Sequence, residues 1–186
     1  MKTFLVIGLG NPGQQYLLNR HNIGFMAIDV LNAQLSMTQT FKTQFKAHYF
    51  ETKLNQDKIY AIKPQTFMNL SGQSVLTFSQ FYKIPPEQII VIHDDLDLEL
   101  GTLKIKQGGG HGGHNGLKNI DSLLGKDYWR IRIGIGHPGH KDLVSAYVLS
   151  NFKSDEITQF IEPIISDTQK ILSRFLNTLK PATLQY

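Results

Sequence analysis

Residues 93–118, HDDLDLELGTLKIKQGGGHGGHNGLK, constrain this chain more than any other stretch. Directly before them stand Ile89, Ile90, Val91 and Ile92, an apolar run that stops abruptly in charge. That is the pattern of a buried strand delivering acidic residues to its C-terminal end. In open α/β sheets ligands gather at such ends. The following GGGHGGHNG, residues 108–116, is too glycine-rich for helix or strand. Glycine loses the most backbone entropy on ordering, so it is used where the chain bends sharply or comes close to a ligand. A glycine run alone reads as a loose surface loop. His111, His114 and Asn115 at its end, opposite His93-Asp94-Asp95, make it read as a site.

The rest of the chain bounds what that site can be. A length of 186 residues, 41% of them apolar, suits one domain spanning 1–186 with a sizeable core. No apolar stretch approaches the roughly 20 residues of a membrane span, and MKTFLVIGLGNPG turns to glycine and proline too early for a signal peptide. Cysteine is absent, which excludes disulfides, thiol catalysis and cysteine metal sites, and fits a cytoplasmic protein. The net charge of +4 is concentrated: residues 101–141 hold seven Lys/Arg, four of the seven histidines and only two acids, Asp121 and Asp127. A solvated basic face is the ordinary explanation of such a segment; a phosphate-bearing partner is the sharper one.

Taken in order, Thr3–Ile7 reads as a buried strand. The next residues, Gly8-Leu9-Gly10-Asn11-Pro12-Gly13, spell a dinucleotide fingerprint. Pro12 argues against it, because it offers a pyrophosphate no N–H where the helix should open. Arg20, His21 and Asn22 precede a helical pattern through Ile23, Met26, Ala27, Val30, Leu31 and Leu35, with Asn22 a candidate N-cap. Phe41–Glu51 and Lys58–Lys63 read as two strands of a hairpin turning at Asn55–Asp57. A loop at 63–72, where Asn69 is a candidate cap, leads to a helix carrying Val75, Leu76, Phe78, Phe81 and Tyr82. Leu103/Ile105 alternate with Lys104/Lys106, and Ile131/Ile133/Ile135 with Arg130/Arg132, so each strand gathers cations on one face. Leu117–Leu124 is a short helix closed by Gly125, and a helical pattern that Pro163 should kink or split runs from Ser154 to about Leu179. The expected architecture is α/β: a single domain with a mixed, twisted β-sheet flanked by helices on both faces.

The chemistry is read from polar residues where strands give way to loops. Histidine titrates near neutrality, and a carboxylate on one ring nitrogen leaves the other free to take a proton. His21 with Asp94 would make that pair; His111 or His114 with Asp94 is the alternative. No cysteine and no Gly-x-Ser-x-Gly elbow supplies a nucleophile, which favours attack by water. Metal binding by His93, Asp94, Asp95, Asp97, His111 and His114 is the chemical rival. It is disfavoured because Leu100 stands where a calcium loop needs glycine, and because a glycine loop fixes no geometry for 111–114.

Four segments jointly resemble one family. GLGNPG with Tyr16 and RHNIGF, KPQTFMNLSG, HDDLDLELG running through GGGHGGHNGLK, and RIRIGIGHPG are similar to the signature blocks of bacterial-type peptidyl-tRNA hydrolases, in that family's order over residues 8–139. Departures are small: HDD where HDE is also expected, and a short stretch after Lys180. The resemblance implies a metal-independent, cofactor-free hydrolase of the ester joining a peptide to the terminal ribose of tRNA. It implies His21 as general base and Asp94 as the residue holding its basic form. Asn11 would discriminate N-blocked from free aminoacyl groups. Asn69 and Asn115 would position the peptide–ribose end, lined by Tyr16 and Phe67, and Lys106 with Arg132 would grip the tRNA 5′-phosphate. Peptidyl-tRNA is the expected partner, with no membrane, of a cytoplasmic monomer. The rival of another class is a non-catalytic RNA-binding domain, whose mark would be exposed aromatics among the basic strands; only Tyr128 and Trp129 qualify.

Overall fold

The computed structural model describes residues 1–36 and 40–179; the stretch after Lys180 lies outside the described residues. Seven strands form one mixed sheet: β1 (Thr3–Gly8), β2 (Lys42–Gln44), β3 (Ala47–Leu54), β4 (Asp57–Pro64), β5 (Ile89–Asp95), β6 (Leu103–Gln107) and β7 (Trp129–Gly134). Their spatial order is β2-β3-β4-β1-β5-β7-β6. The central β4, β1, β5 and β7 are mutually parallel; β3, β2 and β6 join antiparallel at the edges. Helices α1 (Ile23–Leu35), α2 (Ser71–Phe81) and α3 (Asn115–Leu124) supply the crossovers, followed by a short α4 (Val144–Val148) and a C-terminal helical run.

Parallel strands covered on both faces read as continuous apolar runs, which is why TFLVIG and IIVI lack alternation. Phe4, Val6, Ile90, Ile92, Ile131 and Ile133 face one core with Ile28 and Leu31 of α1 and Leu172 and Phe175 of the C-terminal run. Leu5, Ile7, Ile89 and Val91 face the other, against Val75 and Phe78 of α2 and Leu117 and Ile120 of α3. The two-sided α/β layering expected from the sequence is the one observed.

Two elements differ from expectation. Phe41–Glu51 is not one strand: β2 and β3 are separated by a turn at Phe45 and Lys46, with φ of 50° and 56°. Two consecutive left-handed residues make a tight hairpin of the primed type, and with no Gly or Asn there the sequence gives no turn signal. The C-terminal helix, expected to kink or split at Pro163, does so and also breaks a second time at Asp167. After Ser154–Glu156 (α5), Ile157–Ile161 widens into a π-turn; Glu162–Ser166 (α6) follows, and Thr168–Thr178 (α7) restarts beyond Asp167. Pro163 has no N–H to bond back and its ring crowds the preceding turn, so the widening sits where that donor is missing.

Candidate active site

The C-terminal ends of β1 and β5 open on the same side of the sheet, and a cleft of about 1020 Å³ forms over them. The β1 loop enters it tightly fixed. Leu9 N–H donates to the Ile92 carbonyl at 3.0 Å, and Phe25 N–H to the Leu9 carbonyl at 3.2 Å. A Cβ on Gly8 would stand 2.1 Å from the Gly24 carbonyl, so these glycines serve the close crossing of β1 and α1 rather than a nucleotide. Asn22 does not cap α1 with its side chain. Instead its Oδ1 accepts the Asn11 N–H and its Nδ2 donates to the Asn11 carbonyl, both at 2.9 Å. Asn11 Oδ1 in turn accepts the Met68 N–H at 2.8 Å. Asn11 lines the cleft, and among the described residues its Nδ2 alone is uncommitted, a donor in search of a carbonyl.

His21 sits in the single 3-10 turn Arg20–Asn22, and Asp94 near the end of β5. His21 Nδ1 lies 2.9 Å from both Asp94 oxygens. His114 reaches the same carboxylate, Nε2 to Oδ1 at 2.9 Å. Asp94 is 3% and His21 7% exposed, so the pair interacts in a medium far less screening than water. Burial alone would lower the His21 pKa, but the Asp94 charge and hydrogen bond outweigh it and raise the value above 6.5. Burial would likewise raise the Asp94 carboxyl; the two imidazoles reverse this and hold it below the ordinary range. His93, buried and next to His114, is driven down and stays neutral, its Nδ1–H donating to the Asp94 carbonyl at 2.7 Å.

The two histidines on Asp94 are not equivalent. His114 is the N-cap of α3, its Nδ1 accepting the Gly116 and Leu117 N–H groups at 3.1 and 3.3 Å. An accepting Nδ1 puts the proton on Nε2, which donates to Asp94, so both nitrogens are committed. His21 donates through Nδ1 and keeps Nε2 for the cleft. His111 does not reach Asp94; its Nδ1 accepts the Gly113 N–H at 3.1 Å within the glycine loop. Of the pairings the sequence left open, the structure brings together His21, His114 and Asp94. Residue type and spacing alone left open whether His21 or His114 pairs productively with Asp94, because the helix cap that separates them is a tertiary fact.

The basic strands need one correction. Lys104 lies opposite Arg132 and Lys106 opposite Arg130, so all four cations share a face. Arg130, however, is 3% exposed and reads nothing outside the protein. Its Nη1 donates to the Gly110 carbonyl, and its Nη2 to the Gly109 carbonyl and Asp121. Two loop carbonyls and a carboxylate meet three of the five donors of this buried guanidinium, while its buried Nε has no partner among the described residues. Arg132 donates through Nε to Asp95 Oδ2 at 2.7 Å and, like Lys106, lines the cleft. Lys106 lies over Gly109, whose φ of 98° and missing Cβ make room for its ammonium.

Tyr16, Phe67, Asn69 and Asn115 all line the same cleft. Phe67 is 58% exposed, and among the described residues nothing binds the amides of Asn69 and Asn115. Asn69 does not cap α2. The sequence did not nominate Val144, Val148 and Leu149, apolar residues of α4 and its end that close one side of the cleft. Nor did it identify what holds them. Arg20, 4% exposed, pairs bidentately with Glu156 at 2.7 and 2.8 Å, donates to Ser150 Oγ, and stacks on Tyr147. Tyr128, expected as an exposed aromatic, is fully buried, and Trp129 packs edge-on against Phe175.

Among the described residues one set could hold a metal ion: His21, Asp94 and His114, with ligand atoms within 4.8 Å of one another. Its hydrogen bonding does not fit a cation. A ligating histidine donates its far nitrogen to an acceptor, whereas His114 Nδ1 accepts from two N–H groups. The proton this forces onto Nε2 occupies the coordinating position. The arrangement suits a carboxylate steering an imidazole.

Known proteins give the site its setting. A family model described as peptidyl-tRNA hydrolase matches residues 5–186. The peptidyl-tRNA hydrolase of Rhodospirillum centenum is 52% identical over 161 residues, covering 87% of this chain and 70% of its own length. That of Rickettsia bellii is 47% identical over 179 residues, covering 95% and 97%. The crystal structure of the Acinetobacter baumannii enzyme superposes with a TM-score of 0.86 at 39% identity, covering 95% of this chain and 91% of the other. With the match running through the loops that carry His21, Asp94 and the glycine-rich turn, the chain belongs to the peptidyl-tRNA hydrolase family.

Proposed function

We propose that this member of the family cleaves the ester between a peptide and the 3′-terminal ribose of tRNA by direct attack of water, with His21 as general base. The observation that carries the reading is the asymmetry at Asp94: two imidazoles share its carboxylate, and only His21 keeps a free nitrogen on the cleft. Nε2 takes a proton from water, whose oxygen bonds to the acyl carbon. Asp94 stabilises the imidazolium that results. The C–O bond to the ribose then breaks, and the imidazolium returns the proton to the departing 3′-hydroxyl.

Asn11 Nδ2 suits the acyl end as a donor to a peptide carbonyl, and the amides of Asn69 and Asn115 offer both donor and acceptor to a backbone of any sequence. Tyr16 and Phe67 supply apolar walls to that end. Lys106 and Arg132, which line the same cleft as His21, suit a tRNA phosphate. No cofactor enters this chemistry. The reading takes peptidyl-tRNA as the partner of a monomer working in the cytoplasm; among the described residues no helix is long and apolar enough to cross a membrane. A non-catalytic RNA-binding domain would need stacking aromatics on the basic strands. The burial of Tyr128 and the packing of Trp129 against Phe175 remove them.

Purified protein in the presence of a chelator should release the acyl group from an N-acylated aminoacyl-tRNA. Tight binding of the RNA without release would support the binding domain, and release only on addition of a divalent ion would support metal chemistry.

A further inference from the structure

Asp94 and Asp95 are neighbours at the end of β5, and their carboxylates are put to different work. Asp94 is committed to the two histidines. Asp95 Oδ2 accepts from Arg132 Nε at 2.7 Å, and its Oδ1 accepts the Asp97 N–H at 2.9 Å. The Asp95 and Arg132 side chains are 12% and 22% exposed. The backbone beneath them is laddered: β5 and β7 pair with His93 opposite Arg132, and the Asp95 carbonyl accepts the Ile135 N–H at 3.1 Å.

How Asp95 grips Arg132 matters more than that it does. The one hydrogen bond comes from Nε, the neck of the guanidinium, and among the described residues both Nη groups keep their donors. Those four N–H groups are the planar fork that matches a phosphate. Arg130, two residues earlier on the same strand face, is the opposite case, three of its four fork N–H groups taken by Gly109, Gly110 and Asp121. One arginine of this strand is spent inside the protein; the other is held by the neck with its fork free.

Electrostatics alone would make Asp95 a defect, since an acid beside a phosphate site repels the ligand. Its countervailing effect is order: a long, freely rotating side chain is fixed before the ligand arrives, so binding need not immobilise it. We propose that Asp95 is a positioning residue that aims the Arg132 fork at a terminal phosphate of the RNA. Being adjacent to Asp94, it also fixes the spacing between that phosphate and the water held at His21. The inference rests on the reading of Arg132 as a phosphate contact.

The test is the ratio of kcat/KM for one peptidyl-tRNA carrying a 5′-phosphate to that for the same substrate dephosphorylated. The ratio is measured in the native protein and in Asp95→Asn, Asp95→Glu, Arg132→Ala and Arg132→Lys. The native ratio should exceed one and collapse in Arg132→Ala. Asp95→Asn should lower it by about tenfold, the scale of one charge-assisted hydrogen bond, mainly through KM. Asp95→Glu, which keeps the charge on a longer stem, should recover part of the loss. Arg132→Lys leaves Asp95 untouched but replaces the planar fork by a compact ammonium that cannot be held by its neck while presenting paired donors to a phosphate, so the ratio should collapse there too.

A rise in the ratio in Asp95→Asn would show that the acid only repels, and an unchanged ratio that it only caps the Asp97 turn. Either result overturns the inference while leaving Arg132 as a phosphate contact. A native ratio of one, or an Arg132→Ala variant that keeps the native ratio, would remove the phosphate reading and the inference with it.

Discussion

His21 meets Asp94 through Nδ1 alone: both carboxylate oxygens stand 2.9 Å from that nitrogen, and Nε2 is left on the cleft. A ring tethered in this way has its tautomer and plane fixed, so a mutation that removes it should cost chemistry rather than folding. His21→Ala should lower kcat by about 10²–10⁴, the usual worth of a general base. Affinity for an uncleaved tRNA ligand should stay near native. Retention of most of the activity would end the assignment of His21 as base.

The same contact sets the pH dependence. A base works only when neutral, so activity should fall as pH drops through the His21 pKa, which Asp94 holds above 6.5. Replacing Asp94 by Asn removes the anion that stabilises the imidazolium, and the His21 pKa must fall. The acid limb of kcat/KM against pH should therefore move to lower pH in Asp94→Asn, with a reduced plateau. Movement in the opposite direction would mean that the limb reports a different group.

His114 should behave differently from His21, although both touch Asp94. Its Nδ1 caps α3 and its Nε2–H donates to the carboxylate, so it has no nitrogen left to accept a proton from water. His114→Ala should cost about 1 kcal/mol of stability through the lost cap. Its rate loss should be smaller than that of His21→Ala, and an acid limb should persist in its profile. Loss of the acid limb in His114→Ala, with the limb intact in His21→Ala, would exchange their roles.

How far the sequence disclosed all this varies with the kind of interaction. The layered α/β fold was legible because the parallel strands are buried on both faces and read as unbroken apolar runs. The β2–β3 hairpin was not, since Phe45 and Lys46 take left-handed φ without a glycine or asparagine to announce it. In the site, His21 and Asp94 were nominated from residue type and loop position alone. The identity of Asn22 as the clasp on Asn11, of Arg130 as a buried loop anchor, and of Arg20 as the tie to Glu156 could not be. Each depends on a partner remote in sequence or on a side chain turning away from the role its neighbours suggest.

Asn11 can be tested with its loop kept in place. Its Oδ1 is held by Met68 N–H and only Nδ2 is left to the cleft, so Asn11→Asp keeps the structural bond and loses the donor. Comparing kcat/KM on N-acetylated and free aminoacyl-tRNA, the preference for the blocked substrate should shrink in both Asn11→Asp and Asn11→Ala. An equal loss on both substrates, found only in Asn11→Ala, would make Asn11 a purely structural residue of the β1 loop.

The last prediction concerns Lys106 and Arg132, cations on one sheet face in the segment that carries the chain's whole positive excess. If they hold a tRNA phosphate, they contribute binding at a distance from the ester, and their removal should register in KM before kcat. Lys106→Ala combined with Arg132→Ala should raise KM for full-length peptidyl-tRNA. It should also reduce the slope of log KM against log salt by about 0.9 for each phosphate no longer neutralised, because fewer counterions are released on binding. An N-acyl aminoacyl adenosine, which has no distant phosphate, should be hurt far less. Dephosphorylated tRNA should already be a poor substrate for the native protein and lose little more with the double variant. That non-additivity separates a phosphate contact from a general basic surface. Losses that simply add would mean that the two cations touch another part of the RNA, and no loss on any substrate would leave them as solubilising charges on the sheet face.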